Sequence, residues 1–429
     1  MRLVFDGDPA DPSEPVGVTP RGGLALEPFW LYANEAVSPP RYAWVVDPFA
    51  FFAAAFDLSG LPRPDPSTLN GRRVYMSHVD GDGFFNLTEF DRRKTSGQVY
   101  TEEFLSKRPE SPFTISVIAG YYDLALYKGP DSIRLSRAAL DRRNVEPAAH
   151  GYSHPLVWRT GEAALKIPGY TVDALKETVG SVRLINERLL PPGKAAGLFL
   201  WTGDCLPGAD AVQAAERAGL LNINGGGGRF DAQHPSYAYL MPLSRRVAGA
   251  RQLYAPASNE NDFTNLWSGP YYGYRDAITT FERTGAPRRV KPVDVYVHFY
   301  SAEKYASIGA LRKVYDWAHA QPLIPVFAGT YARSARDFFA MRVLRLGPRR
   351  FRLEGGAALR TVRFDDAVGE PDLSLSTGVI GFRRDLGSLY VHLDGSERRE
   401  IAFAARPLRR PYLEQANFEV DSWEPRAAG

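Results

Sequence analysis

Between residues 72 and 341, short apolar segments alternate with helical ones, and this alternation constrains the fold more than any other feature of the chain. Strand-like runs fall at 74–79, 113–119, 145–149, 197–201, 220–223, 293–299 and 324–327. The clearest helix is predicted over 171–190, where Val172, Leu175, Val179, Val182, Ile185 and Leu189 recur at spacings of three and four until Pro191-Pro192-Gly193 stops them. Further helices are predicted at 132–142, 209–218 and 301–320. Repeated strand–helix units imply parallel strands with helical crossovers, hence an α/β fold, with a distorted (β/α) barrel as the best match. Active sites of such barrels gather at the C-terminal strand ends.

The flanks read differently. Beyond 342 the runs 343–346, 351–353, 361–364, 378–382, 389–393 and 401–403 are short, turn-bounded and partly alternating, which predicts an antiparallel β-sandwich. Residues 8–23 carry several prolines and glycines and read as a linker or surface-laid arm, followed by short strands at 23–32 and 42–46. The expected organisation is therefore an N-terminal segment at 1–70, a barrel at 71–341 and a β domain at 342–429, consistent with 429 residues. A formal charge of +3 without a long single-sign block argues against nucleic acid as a partner. Cys205 is the only cysteine, so no intramolecular disulfide forms. The most apolar stretch, 49–56, is far shorter than the roughly 20 residues that span a bilayer, so no transmembrane segment is expected. Residues 1–8 do not begin a signal peptide.

Within that frame, His78-Val79-Asp80-Gly81-Asp82-Gly83-Phe84 ends the first barrel strand, and His150-Gly151-Tyr152-Ser153-His154 follows the third. Two histidines four apart can turn both rings toward one ion, and one carboxylate with two imidazoles makes a facial set that leaves positions open for water and substrate. The second carboxylate is then free to act as a base. A calcium-hand loop is discarded because its register would place Phe84 where an oxygen ligand belongs. The glycines at 225–228 fit neither a P-loop nor a dinucleotide motif. His298 stands near the end of a later apolar strand, a place where a core histidine bonded to a backbone carbonyl is the ordinary alternative.

The paired aspartates and the His-x-x-x-His loop resemble the first two motifs of the polysaccharide deacetylase superfamily. The fuller wording, Asn70-Gly71-Arg72-Arg73 leading into Ser77-His78-Val79-Asp80-Gly81-Asp82, is closer to the divergent branch that includes Pel exopolysaccharide deacetylases and fungal galactosaminogalactan deacetylases. The resemblance runs from about Tyr42 to the C-terminus. It implies Asp80 as base, Asp82, His150 and His154 as ligands of one divalent ion (zinc first, then cobalt, nickel or manganese), and His298 as the acid that protonates the leaving amine. The substrate it implies is an N-acetylhexosamine polysaccharide, with export proteins as further partners. It also implies a periplasmic or extracellular location, for which this chain would be a segment of a longer exported protein. The family's arginine that tethers the base has no counterpart; the segments 200–208 and 222–226 stand in its place.

Aromatic rings at strand ends and in the loop 268–274 could stack on sugar faces, so Trp201, Trp267 and Tyr300, with the polar Asp204 and Asn224, are the candidate substrate contacts. Two other functions fit parts of the pattern. One is a noncatalytic carbohydrate-binding protein on a deacetylase fold; the other is a glycoside hydrolase pairing Asp80 with Asp204 or Glu146, which would need no metal.

Overall fold

A computed structural model describes residues 2–5, 13–124, 130–256, 258–365, 369–407 and 410–423. Seven parallel strands form its centre: β1 (Arg72–Asp80), β2 (Phe113–Val117), β3 (Val145–Ala149), β4 (Leu198–Leu200), β5 (Leu221–Ile223), β6 (Val293–His298) and β7 (Leu323–Pro325). They lie in the order β5-β4-β3-β2-β1-β6, with β7 on the opening residues of β1. The registers Asp80 with His298, Ala149 with Val117 and Phe199, and Leu200 with Ile223 bring the C-terminal strand ends to one edge.

Side-chain alternation divides this sheet into two faces. Tyr75, Val79, Ile115, Phe199, Val293, Val295 and Val297 enter a core shared with the surrounding helices. Val74, Met76, Ala148, Leu198, Leu200, Ile223 and Ile324 fill the other face with the helix Ala328–Phe338. On that second face β1 runs Val74, Met76, His78, Asp80, so an apolar floor gives way to polar groups near the strand end.

The protein is thus mixed α/β with a curled parallel sheet, and the sheet is open. Among the described residues no strand pairs β5 with β6 or β7; the gap is crossed near the strand ends by isolated bridges, Gly226 with Ala255 and Asn259 with Tyr296. The closing segment is irregular, without the apolar repeat that marks a strand.

Two expectations need correction. Residues 13–25 are not a loose arm: Ser13–Thr19 and Gly22–Ala25 form a hairpin, with Arg2–Phe5 as third strand, while 8–12 lie outside the described residues. Its Gly23 packs so closely on the helix Pro48–Ala55 that a β-carbon would fall 2.7 Å from that of Ala55. The helix at 171–190 is not continuous either. Lys176–Gly180 forms a π turn before the α-helix Ser181–Arg188, and this extra residue rotates the inward face. Leu175, expected inside, is 59% exposed, whereas Glu177 and Thr178 are fully buried.

Beyond the barrel lie two antiparallel sheets. One joins Arg342–Gly347, Arg350–Glu354 and Arg398–Ala402; the other joins Val379–Asp385, Ser388–Leu393 and Thr361–Phe364, with Arg63–Pro64 on its edge. Phe351, Leu353 and Ile401 of the first meet Val362, Phe364, Phe382 and Val391 of the second in one apolar cluster. Among the described residues no helix is long and apolar enough to cross a membrane. Leu353 is wholly buried in this cluster, so Leu353→Ala should destabilise it by about 2–5 kcal/mol, read as a lowered urea midpoint at unchanged slope.

Candidate active site

Three strand ends deliver the polar groups. Asp80 closes β1, His150 follows β3 directly, and His298 closes β6. Beyond Asp80 the chain turns through Gly81, Asp82 and Gly83. Gly83 has φ +79°, and a β-carbon there would lie 2.8 Å from the backbone nitrogen of Tyr300, so only glycine lets the turn press against the end of β6. The contact is fixed by the Tyr300 N–H donating to the Asp82 carbonyl at 3.2 Å.

Asp82, His150 and His154 converge. Asp82 Oδ2 is 3.0 Å from His150 Nε2, and Oδ1 is 2.8 Å from His154 Nε2. The potential ligand atoms of all three lie within 4.8 Å of one another. His150 must present Nε2, because Nδ1 faces the Leu200 carbonyl at 3.0 Å and donates there. His154 gives the test of whether an ion fits. Its Nε2 is close to Asp82 but off the line a hydrogen bond requires, and both ring nitrogens are buried without a hydrogen-bond partner among the described residues. A buried imidazole left without a partner beside a carboxylate and a second imidazole suits a divalent cation, which would use the lone pair. Asp80, Asp82 and His298 form a second, overlapping group with the same spacing.

Both histidines ride on a loop that Glu177 holds from below. Its buried carboxylate accepts from the backbone N–H groups of Tyr152 (2.6 Å) and Ser153 (3.0 Å), from the Ser153 hydroxyl, and from Tyr170 Oη (2.9 Å). The π turn places that carboxylate inward. His154 itself sits at φ +58°, an uncommon conformation for histidine that this anchoring sustains.

Asp80 stands apart from the set. It is 2% exposed, and Asn224 Nδ2 donates to both of its oxygens, at 3.1 and 3.0 Å, while Tyr296 Oη donates to Oδ2 at 2.8 Å. Its Oδ2 lies 3.8 Å from His150 Nε2 and 3.6 Å from His298 Nε2. These donors orient a carboxylate that, among the described residues, has no arginine hydrogen-bonded or ion-paired to it.

His298 is oriented by Glu260, from the short 3₁₀ turn Glu260–Asp262 that crosses the open side of the sheet. Glu260 Oε1 accepts from His298 Nδ1 at 2.8 Å and from its backbone N–H at 2.9 Å, and Oε2 accepts from Ser301 Oγ. With Nδ1 engaged, Nε2 faces Asp80. Burial would lower the imidazole's pKa, but the hydrogen bond and charge of Glu260, with the charges of Asp80 and Asp82, outweigh it and push the value up to about 9. A raised pKa means His298 is protonated through neutral pH and loses its proton only as pH passes about 9.

The substrate candidates divide. Trp267 and Tyr300 come together beside the site, with rings 4.7 Å apart, and Tyr300 stacks on His298 at 4.6 Å. Asn265, Leu266 and Trp267 all have positive φ, so this rim is a strained turn. Trp201 is no sugar contact: by alternation it points with Phe199 into the helix-side core, fully buried, and its indole N–H donates to Asn222. Asn224 is likewise fully buried and engaged with Asp80, His78 and the Trp201 carbonyl. Asp204 is exposed and accepts from the Leu206 N–H of its own turn. Glu146 lies near the start of β3, where it accepts from Gly329 N–H at the start of the helix Ala328–Phe338 and from Thr114, away from the strand ends that carry Asp80 and His298.

No family model and no curated protein matches the chain. Among solved structures it is similar to the 4-alpha-glucanotransferase from Thermococcus litoralis, at 14% identity over 61% of this chain and 40% of that one, with a TM-score of 0.40. It is similar to a "probable Polysaccharide deacetylase" from Pseudomonas aeruginosa, at 16% identity over 63% of this chain and 94% of that one, with a TM-score of 0.41. A third likeness, to a mutant of a CE4 family pseudoenzyme with restored enzymatic activity, has 11% identity over 69% and 78% of the two chains and a TM-score of 0.36.

Two outcomes test the supports. Glu177→Gln weakens the anchor of the histidine loop and should lower divalent-metal affinity about 10- to 100-fold in equilibrium dialysis, with the folded far-ultraviolet spectrum retained. Glu260→Gln removes the charge behind His298. The His298 titration midpoint, followed by NMR, should fall from about 9 toward or below the ordinary 6.5.

Proposed function

We propose that this protein is a metal-dependent N-deacetylase acting on N-acetylhexosamine residues of a polysaccharide. The reading is carried by one observation: a buried carboxylate, Asp80, held outside the group Asp82, His150 and His154 yet 3.6 Å from Nε2 of His298. Base and acid thus flank one ligand set.

A divalent ion held by Asp82, His150 and His154 would supply the Lewis acid that polarises the acetyl carbonyl and makes water a better proton donor. Asp80, oriented by Asn224 and Tyr296, takes the proton of the attacking water. His298 then gives its Nε2 proton to the sugar nitrogen as the carbon–nitrogen bond breaks, because an amine leaves poorly without one. Glu260 keeps that proton available at neutral pH. Trp267 and Tyr300 form the wall on which a sugar ring stacks. Zinc is the ion we propose, and a Pel-like, N-acetylgalactosamine-containing exopolysaccharide the substrate, on the wording of residues 70–84.

Metal content measured together with acetate release from defined N-acetylhexosamine oligomers tests the reading. Asp80→Asn should keep the ion and bound oligomer but lose about 10²- to 10⁴-fold in turnover, whereas Asp82→Asn should lose the ion. The converse metal pattern would exchange the two roles. Normal acetate release by both variants would place the chemistry elsewhere.

A further inference from the structure

His78 and Asp294 are both wholly buried beneath Asp80, and the site chemistry derived above leaves them without a role. Asp294, Tyr296 and His298 alternate along β6 and so share the face on which β1 carries His78 and Asp80. Asn224 links them. Its Nδ2 lies 3.1 and 3.0 Å from the Asp80 oxygens and 3.1 Å from the Trp201 carbonyl, all acceptors, which fixes the amide's orientation. Its Oδ1 therefore faces His78 Nε2, at 3.1 Å. An amide oxygen can only accept, so Nε2 carries a proton.

The other ring nitrogen, Nδ1, is 2.9 Å from Asp294 Oδ1. With Nε2 protonated, a hydrogen bond there requires one more proton, placed on Nδ1 as an imidazolium–carboxylate pair or on Asp294. Asp294 Oδ2 has no hydrogen-bond partner among the described residues, so the His78 ring is the only group answering this carboxyl. The His78 ring also stacks on Tyr296 at 4.1 Å, the second donor to Asp80.

We propose that His78 and Asp294 are positioning residues for the base: one proton shared between them keeps His78 Nε2 a donor to Asn224, and Asn224 passes that fixed polarity to Asp80, in the place a directly bound cation would occupy. The inference rests on Asp80 being the base. Burial would lower the pKa of His78, but the charge and hydrogen bond of Asp294, together with Asp80, raise it. Asp80 and Asp294 are the carboxylates facing the ring, with Asn224 and Tyr296 its other polar neighbours.

The test uses the full chain loaded with zinc and labelled with nitrogen-15 in histidine. The ring shifts of His78 should show a proton on Nε2 and a strong shared proton at Nδ1, unchanged from pH 5 to pH 8. A His78 that titrates like a free imidazole, or carries its single proton on Nδ1, overturns the proposal whatever the enzyme's activity. Asp294→Asn keeps the shape of the pair and removes its charge. It should leave zinc stoichiometry intact and lower kcat about 10- to 100-fold with KM little changed, because Asn224 is no longer held in one orientation against Asp80. A folded Asp294→Asn protein with wild-type kcat and KM would reduce the pair to a structural element. Absence of acetate release from the wild-type protein would instead sink the deacetylase reading and leave the ring shifts to decide proton placement.

Discussion

Everything at this site depends on the pairing of β1 with β6. The register that sets His298 opposite Asp80 also sets Tyr296 opposite His78, so two strands distant in sequence present one continuous polar face. A slip by one residue would turn that face toward the helices and bring valines inward. The slip is opposed by the opposite faces of the same strands: Val293, Val295, Val297, Tyr75 and Val79 are buried in the helix-side core. Apolar packing on one side of the sheet thus fixes the chemistry on the other.

The strand–helix alternation was legible because each strand of the curled sheet is a short apolar run between turn signals, and the cluster of Asp82, His150 and His154 was legible because the histidines sit four residues apart and Asp82 stands just past the end of the first strand. Glu260 was invisible: it lies in the irregular stretch Asn259-Glu260-Asn261-Asp262, where nothing distinguishes it from neighbouring polar residues. Glu177 was hidden for another reason. A regular helix would have placed Leu175 inward, and spacing rules cannot foresee the π turn that buries the acid instead. Tyr296 and Asp294 did leave a signal, polar groups at alternate positions of an otherwise apolar strand.

Trp201 and Asn224 show how proximity in sequence misleads. Both stand near strand ends, where substrate contacts are expected, yet one belongs to the outer face by parity and the other bridges buried groups. Position along a strand gives the height of a residue in the barrel; parity and backbone turn decide what it touches.

The charges of the cluster explain why its parts belong together. Asp80, Asp82, Asp294 and Glu260 bring four carboxylates into one largely buried volume, with four of the chain's seven histidines, His78, His150, His154 and His298. Four negative charges there are costly unless matched. The proton shared by His78 and Asp294 offsets one, and the proton held on His298 offsets another. A divalent ion at Asp82, His150 and His154, a group spaced to hold one, would match the remaining two with both of those imidazoles neutral. Without the ion the same surplus charge falls on the ligands: His150 is drawn toward its protonated form because Asp80 and Asp82 outweigh the burial that opposes it. With the other two charges offset in this way, a monovalent cation would leave one charge unmatched and a trivalent one would leave an excess, whereas a divalent ion would match the pair that remains.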